Sequence, residues 1–443
     1  MARIDRKRAG KNRSSNPKSP RSASCQTLER GNGCNLLLQD GSAAFLKPRY
    51  RKLGGKRGHR IARFETFLAN AGLRNYLFVR LVTDNGTTGV GEASLEWQEK
   101  AVQSLLEEWV ADRIIGTDPF DVDSVVAALI RDQYQGGATI MTAISAVEIA
   151  LLDIVGKVCN QPVFELLGGR ARERLPAYAN GWYGGVKAPG EYAARAREVV
   201  KRGYRGLKFD PFGTAWKEMT RIEMNGAERL VAAVREAVGH SVDIFVEGHG
   251  RFSVACAIEI GRRLEKYNPA WFEEPVTPDS LDDLGKVKKA LPYPIAAGER
   301  LYDLSHFERL IQLRAADTIQ MDVSHCGGLL MSRRIAIMAE ARGLHVSPHC
   351  SIGPVALCAA LHLDFATPNV LIQENFSEYD VPWRDELVRG WNPIQRGGFT
   401  LADKPGLGIE LDVEACKRHP YRKNSFPSLW DKKWQREFTQ NRK

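Results

Sequence analysis

The chain of 443 residues has no C-x-x-C pair. Its eight cysteines (Cys25, Cys34, Cys159, Cys256, Cys326, Cys350, Cys358 and Cys416) are scattered. That scatter excludes a zinc knuckle and points to reduced thiols and a cytoplasmic setting. No apolar run approaches the roughly 18 residues a membrane span needs, so no membrane partner is expected. Acids are scarce at one end: residues 1–60 carry sixteen Lys/Arg against three acids. Those sixty residues thus hold +13 of a net +10, and the remainder is slightly acidic at −3.

The basic stretch is also poor in apolar residues and rich in Ser, Asn, Gly and Pro, as in KNRSSNPKSPRSAS. Residues 1–58 are therefore expected to be a disordered leader. A nucleic-acid or membrane-surface arm, a targeting leader, and a solvated appendage or over-extended start are the readings open to it. The apolar core of a secretory signal is missing. A non-catalytic binding protein tethered to nucleic acid by this leader is the remote alternative for the whole chain.

Past the leader the chain is patterned. RIARFETFLA, NYLFVRLVTD and TTGVGEA read as three strands, with Asp84-Asn85-Gly86 as a turn. ATIMTAISAVEIALLDIVGKV places Ile140, Ile144, Val147, Leu151 and Ile154 on one helical face. FELLGG ends a helix in glycines. Residues 59–172 are expected to form a small α+β capping domain. From 173 to 390 short apolar runs alternate with helical stretches: LPAYAN, YRGLKFD, VDIFVE, PAWFEE, YPIAAGE, DTIQMD, LHVSPH and NVLIQE. Eight such units predict a (β/α)8 TIM-like barrel, with a doubly wound open sheet as the alternative. Residues 391–443 are too short and irregular to fold alone and are expected to pack back on the capping domain.

The ends of those runs carry the chemistry. They hold Asn180, Lys208 with Asp210, Glu247 with His249, Glu273, Glu299, Asp322, His349 and Glu374. From Glu247 the steps are 26, 26, 23, 27 and 25 residues, each about one βα unit. In a barrel the C-terminal ends of the strands meet at one mouth, where active sites lie. Glu247, Glu273 and Glu299 offer three carboxylates in successive units, which suits one hard divalent cation such as Mg2+. A ring of acids neutralised by Arg251 and Arg300 is the bland alternative, at the cost of like charges in one cavity. Asp322, one unit before His349, is placed to orient the imidazole as a general base.

KFD, VEGH, WFEEP, AAGE, QMDVSHCGG, SPHCSIGP and IQE occur in this order. Together they resemble the enolase superfamily, in its mandelate racemase subgroup, and within it the acid-sugar dehydratases of galactonate-dehydratase type. The resemblance spans about residues 59–420. It implies that Glu247, Glu273 and Glu299 bind magnesium, with Glu247 where Asp is commoner, and that His349 with Asp322 is the base dyad. It implies that Glu374 hydrogen-bonds the substrate carboxylate or enediolate and that His249 is the general acid. Racemases of the subgroup carry Lys-x-Lys on the second strand, and Asp210 stands here in place of the second lysine, which argues for dehydration. Lys208 is expected to face the pocket, paired with substrate or with Asp210, or else to form a plain salt bridge. The activity implied is magnesium-dependent dehydration of an aldonate or aldarate to a 2-keto-3-deoxy acid by a lyase. A racemase, epimerase or cycloisomerase working through the same enediolate is the alternative.

Substrate contacts are expected from loops near residues 67–75 and 92–99, from Tyr134 and Trp182, and from Lys208 and Asp210. Arg251 is open between substrate binding and pairing with the acids. The partners expected are a small carboxylate substrate and other copies of this chain, and not nucleic acid. On an extended strand, period-two alternation would put His249 on the same side as Glu247.

Overall fold

The computed structural model describes residues 58–391 and 394–423. The basic leader, and the aromatic and basic end beyond residue 423, lie outside the described residues.

Three antiparallel strands come first: β1 (Ile61–Ala71), β2 (Arg74–Thr83) and β3 (Thr88–Glu92). Phe67 pairs with Phe78 and Leu68 with Leu77. The first hairpin runs further than its hydrophobic pattern, to Ala71 opposite Arg74, because Gly72 takes φ 75° and its N–H is capped by Asn70 Oδ1 at 3.2 Å. Against this sheet packs the helix Ala138–Cys159. Its contact with β3 is backbone to backbone: a Cβ at Gly91 would lie 1.9 Å from the Ala146 carbonyl oxygen.

That helix is long and apolar enough to cross a membrane, contrary to the sequence expectation that no run approaches such a length. Its surroundings are protein. The predicted face is buried, and so are Ala143, Ala146, Ile149 and Ala150, because neighbours pack on both sides. Its two acids are tied to backbone N–H groups. Glu148 accepts from Leu329 and Leu330, both at 2.8 Å, and Asp153 accepts from Val90 at 3.0 Å and Leu407 at 2.8 Å.

Eight parallel strands come next: β4 (Leu175–Ala179), β5 (Gly206–Phe209), β6 (Asp243–Glu247), β7 (Trp271–Glu273), β8 (Ile295–Ala297), β9 (Thr318–Ile319), β10 (His345–Val346) and β11 (Gln373–Asn375). They pair in chain order from β4 to β10, and β11 pairs with β4. The ring closes through a parallel bridge between Val346 and Val370 and a 2.7 Å hydrogen bond from Ser347 Oγ to the Ile372 carbonyl. Seven helices, from Pro189–Lys201 to Pro354–Ala366, fill the crossovers. The eighth unit differs from expectation. After β11 the chain runs through short 3-10 turns, Val388–Arg389 pairs with Glu410–Leu411, and Gly398–Phe399 pairs antiparallel with β4. Asn70 N–H then donates to the His419 carbonyl at 2.7 Å, tying this segment to β1.

The barrel interior explains where the acids stand. Tyr178, Phe245, Trp271, Ala296 and Ile372 form a buried plug, with the Phe245 and Trp271 ring centroids 3.8 Å apart. Two residues further along their strands come Asn180, Glu247, Glu273 and Glu374. Alternation along a strand therefore lifts those polar groups just above an apolar floor.

Candidate active site

Above that floor opens a cavity of about 580 Å3, a size suited to a small ligand. Lys208, Asp210, Glu247, His249, Glu299 and His349 line it. Glu273, Asp322 and Glu374 lie buried directly behind these side chains.

Three carboxylates converge. One ligand oxygen from each of Glu247, Glu273 and Glu299 lies within 4.8 Å of the others. Burial pushes the Glu247 carboxyl up to about 7 against the pull of Lys208. Burial and the Glu247 charge raise Glu273 well above the usual carboxylate range. Glu299 goes the other way: burial would raise it, but His349, Lys208 and Arg300 hold it low. A hard divalent cation fits this donor set, since all three groups offer oxygen and, among the described residues, only the Lys208 ammonium, 3.2 Å away, pairs with the buried Glu247 Oε2. Glu299 stands off the alternation of its strand. It comes after Gly298, whose φ of 138° turns the chain where a Cβ would sit 3.0 Å from the Gln320 nitrogen.

Lys208 is the counter-charge of the cluster. Its Nζ lies 2.5 Å from Glu273 Oε1, 2.9 Å from Glu374 Oε1 and 3.2 Å from Glu247 Oε2. Burial would lower its pKa, but these carboxylates raise it well above the ordinary lysine value. Asp210 is not its partner. Glu374 accepts from Lys208, from Asn180 Nδ2 at 2.8 Å and from the Cys350 N–H at 2.9 Å. Burial opposes ionisation there, yet Lys208 and His349 bring the Glu374 carboxyl down to about 2. Glu374 is therefore a hydrogen-bond acceptor, and the donor of the pair is Lys208.

His349 and His249 open on the same cavity from opposite walls, each hydrogen-bonded to an aspartate. His349 Nδ1 lies 2.7 Å from Asp322 Oδ2. Its Nε2 points inward, 3.6 Å from Glu299 Oε2 and 3.7 Å from Glu374 Oε2. Burial would lower the His349 pKa, but Glu299, Glu374 and Asp322 raise it well above the ordinary value. Burial likewise works against ionised Asp322, which His325 and His349 nevertheless hold below the usual range. On the other wall His249 Nδ1 lies 2.8 Å from Asp210 Oδ2. Burial would raise Asp210, and Arg251 and His249 keep it low.

His249 does not reach the cavity by strand alternation, because β6 ends at Glu247. It takes φ 48°, a left-handed conformation rare for a side-chain-bearing residue, and its N–H donates to Glu247 Oε1 at 2.6 Å. Gly248 allows the turn, since a Cβ there would lie 2.7 Å from the Glu274 carbonyl oxygen.

Three expected substrate contacts are placed elsewhere. Tyr134 is 96% exposed and is not among the cavity-lining residues. Trp182 is buried under the wall: its Nε1 donates to the Lys208 carbonyl at 2.8 Å and its ring meets Phe209 edge-on. The next residue, Tyr183, lines the cavity in its stead. Arg251 is buried and bonds Asp210 together with the Gly248 and Gly213 carbonyls, so the acid it pairs with is Asp210, outside the cluster of Glu247, Glu273 and Glu299. Sequence reasoning missed His325, a lining residue whose Nδ1 is 3.6 Å from Asp322 Oδ2. It stands three positions after Asp322 in the QMDVSHCGG string, which was the available signal. The loops near 67–75 and 92–99 do reach the mouth, through Ala71–Arg74 and Leu95–Gln98.

Comparison with known proteins gives a consistent picture. Residues 60–168 match the mandelate racemase/muconate lactonizing enzyme N-terminal domain, and residues 191–415 match the enolase C-terminal domain-like family. The D-gluconate/D-galactonate dehydratase of Picrophilus torridus is 34% identical over 348 residues, 78% of this chain and 88% of that protein. The D-galactonate dehydratase of Xanthomonas euvesicatoria pv. vesicatoria is 35% identical over 358 residues, 77% of this chain and 90% of that protein. Among solved structures, the mandelate racemase/muconate lactonizing enzyme from Jannaschia sp. CCS1 is similar with a TM-score of 0.76 at 30% identity, covering 83% of this chain and 99% of that one.

Proposed function

The chain belongs to the mandelate racemase/muconate lactonizing enzyme family of the enolase superfamily, and on that premise we propose that it is a magnesium-dependent sugar-acid dehydratase. The observation that carries this reading is the pair of His–Asp dyads opening on one cavity over three converging carboxylates. Relatives named for D-gluconate and D-galactonate dehydration support it.

Glu247, Glu273 and Glu299 would hold the magnesium ion. When bound, that ion supplies positive charge beside the substrate carboxylate, where the reaction develops negative charge. His349 removes the proton α to the carboxylate. Asp322 accepts the Nδ1 hydrogen, so Nε2 is the basic nitrogen facing the cavity. Lys208, held by Glu273 and Glu374, donates toward the developing enediolate. His249 delivers a proton to the departing 3-hydroxyl, and loss of water leaves an enol, which takes a proton at carbon 3 and releases its hydroxyl proton to become the 2-keto-3-deoxy acid. Asp210, standing where a racemase has its second lysine, supports this histidine. Each such positioned acid or base is worth roughly 10²–10⁴-fold in rate.

Incubation with D-gluconate and with D-galactonate in the presence of Mg2+ tests the reading. Formation of the 2-keto-3-deoxy acid is the expected result. Epimerised product without loss of water would favour the racemase or epimerase alternative.

A further inference from the structure

Arg251 is among the largest fully buried side chains of the fold, and it lies outside the cavity wall. An arginine is seldom buried unless its fork is bonded throughout. Here Nε donates to the Gly248 carbonyl at 2.9 Å, Nη1 donates to the Gly213 carbonyl at 2.9 Å, and Nη2 pairs with Asp210 Oδ2. These bonds reach two loops: Gly248 is in the turn that carries His249, and Asp210 and Gly213 lie in the loop after β5. Nη2 also lies 3.4 Å from His249 Nδ1 itself. The guanidinium therefore ties the loop after β5 to the loop after β6 at the place where His249 stands.

His249 needs such a clamp. Its left-handed backbone at φ 48° is a costly conformation of the kind that persists only where the surroundings enforce it. Its ring is 27% exposed on the cavity side and has one carboxylate partner, the same Asp210 Oδ2 that Arg251 grips. Nothing in this chain of contacts touches His349, whose orientation comes from Asp322 on the opposite wall.

We propose that Arg251 is a positioning residue for the acid half of the reaction alone: through Asp210 it fixes the ring of His249 toward the cavity, and the base half does not depend on it. The inference rests on the dehydratase reading and adds to it a division of labour. Proton abstraction and water loss are held by two separate scaffolds.

The test compares Arg251→Met and Arg251→Lys with the wild-type enzyme, on D-gluconate and D-galactonate with Mg2+ in D2O. Two rates are read: exchange of the α proton and appearance of 2-keto product. The expected result is a fall in water loss of about 10²-fold or more, the range of a lost general acid, while α-proton exchange stays within about tenfold of wild type. Lysine cannot make the three-way fork and restores little. A parallel fall in both rates, or no fall in either, overturns the proposal. A second readout is independent of turnover. Nitrogen NMR of the histidine side chains should show the His249 Nδ1–H bond to Asp210 in the wild type and its loss in Arg251→Met. An unchanged His249 signal overturns the proposal whether or not these acids are substrates. Wild-type enzyme that makes no 2-keto product, with the His249 signal lost as expected, counts against the dehydratase reading and not against the clamp.

Discussion

Replacing Lys208 by methionine removes the counter-charge from the most crowded part of the fold. The ammonium is 2% exposed and lies within 3.2 Å of Glu247, Glu273 and Glu374. A methionine fills the same volume, so packing changes little and the effect is electrostatic. Removing one partner of a buried ion pair typically costs about 3–5 kcal/mol. A second route gives a similar figure. If one further carboxyl must take up a proton to relieve the repulsion, keeping it protonated at about pH 7 against an ordinary pKa near 4.3 costs about 4 kcal/mol. The sign of the pH dependence is set by the same protonation. A carboxyl whose folded pKa is raised makes the fold less stable as pH rises from the unfolded value through the folded one. In metal-free buffer, Lys208→Met should therefore unfold at lower urea than the wild type, with a gap that widens from about pH 6 to about pH 8. Magnesium should narrow the gap, because in the variant the cation replaces the missing counter-charge and binds more tightly than beside Lys208, and each tenfold gain in affinity adds about 1.4 kcal/mol to the variant's stability relative to the wild type. An unchanged urea midpoint, or a gap indifferent to pH and to magnesium, refutes the view that this lysine balances the carboxylates.

Other predictions concern single groups. Asp322→Asn should cut product formation by about 10²–10⁴-fold, because the neutral amide supplies no charge to stabilise the imidazolium and its NH2 can donate to Nδ1 and favour the wrong tautomer of His349, and a fall under about tenfold in a kcat assay contradicts the base assignment. His362 is buried, accepts from the Phe164 N–H at 3.1 Å, and is 3.1 Å from the Leu407 carbonyl, to which Nε2 donates. Burial pushes its pKa down to about 4, so the neutral ring is the folded form. Its contribution is fully present above about pH 6.5 and is lost as pH falls towards about 4, roughly 3 kcal/mol in all. Urea midpoints of wild type and His362→Gln should accordingly converge over that window, and parallel curves would count against it.

Much of this was legible in the sequence because a barrel repeats. The recurrence of polar residues about every 25 positions marks strand ends, and strand ends meet at one mouth. That is enough to gather Glu247, Glu273, His349 and Glu374 from chain positions more than a hundred residues apart. What repetition cannot show is the path of the backbone after each strand. His249 arrives by a left-handed turn and not by alternation, and Glu299 arrives after a glycine at φ 138°. Nor does it say which charges pair once strands converge. Lys208 on β5 and Asp210 just past its end are two apart in sequence, yet one serves the carboxylates and the other serves His249. Aromatic residues misled for a related reason. Trp182 and Tyr183 are neighbours, and only register decides which ring is sealed beneath the wall and which lines the cavity. The Ala138–Cys159 helix shows one predicted face but is buried on others, since a pattern of apolar residues does not reveal how many neighbours will cover it.

The central claim is that one cavity takes a proton from carbon 2 of a sugar acid and expels the hydroxyl from carbon 3. Proton NMR of the product formed from D-gluconate or D-galactonate in D2O with Mg2+ reads both events in one spectrum. The expected product is a 2-keto-3-deoxy acid, lost in the presence of a chelator and in His249→Asn. Deuterium at carbon 2 of an otherwise intact sugar acid, with no water lost by the wild-type enzyme, would contradict it.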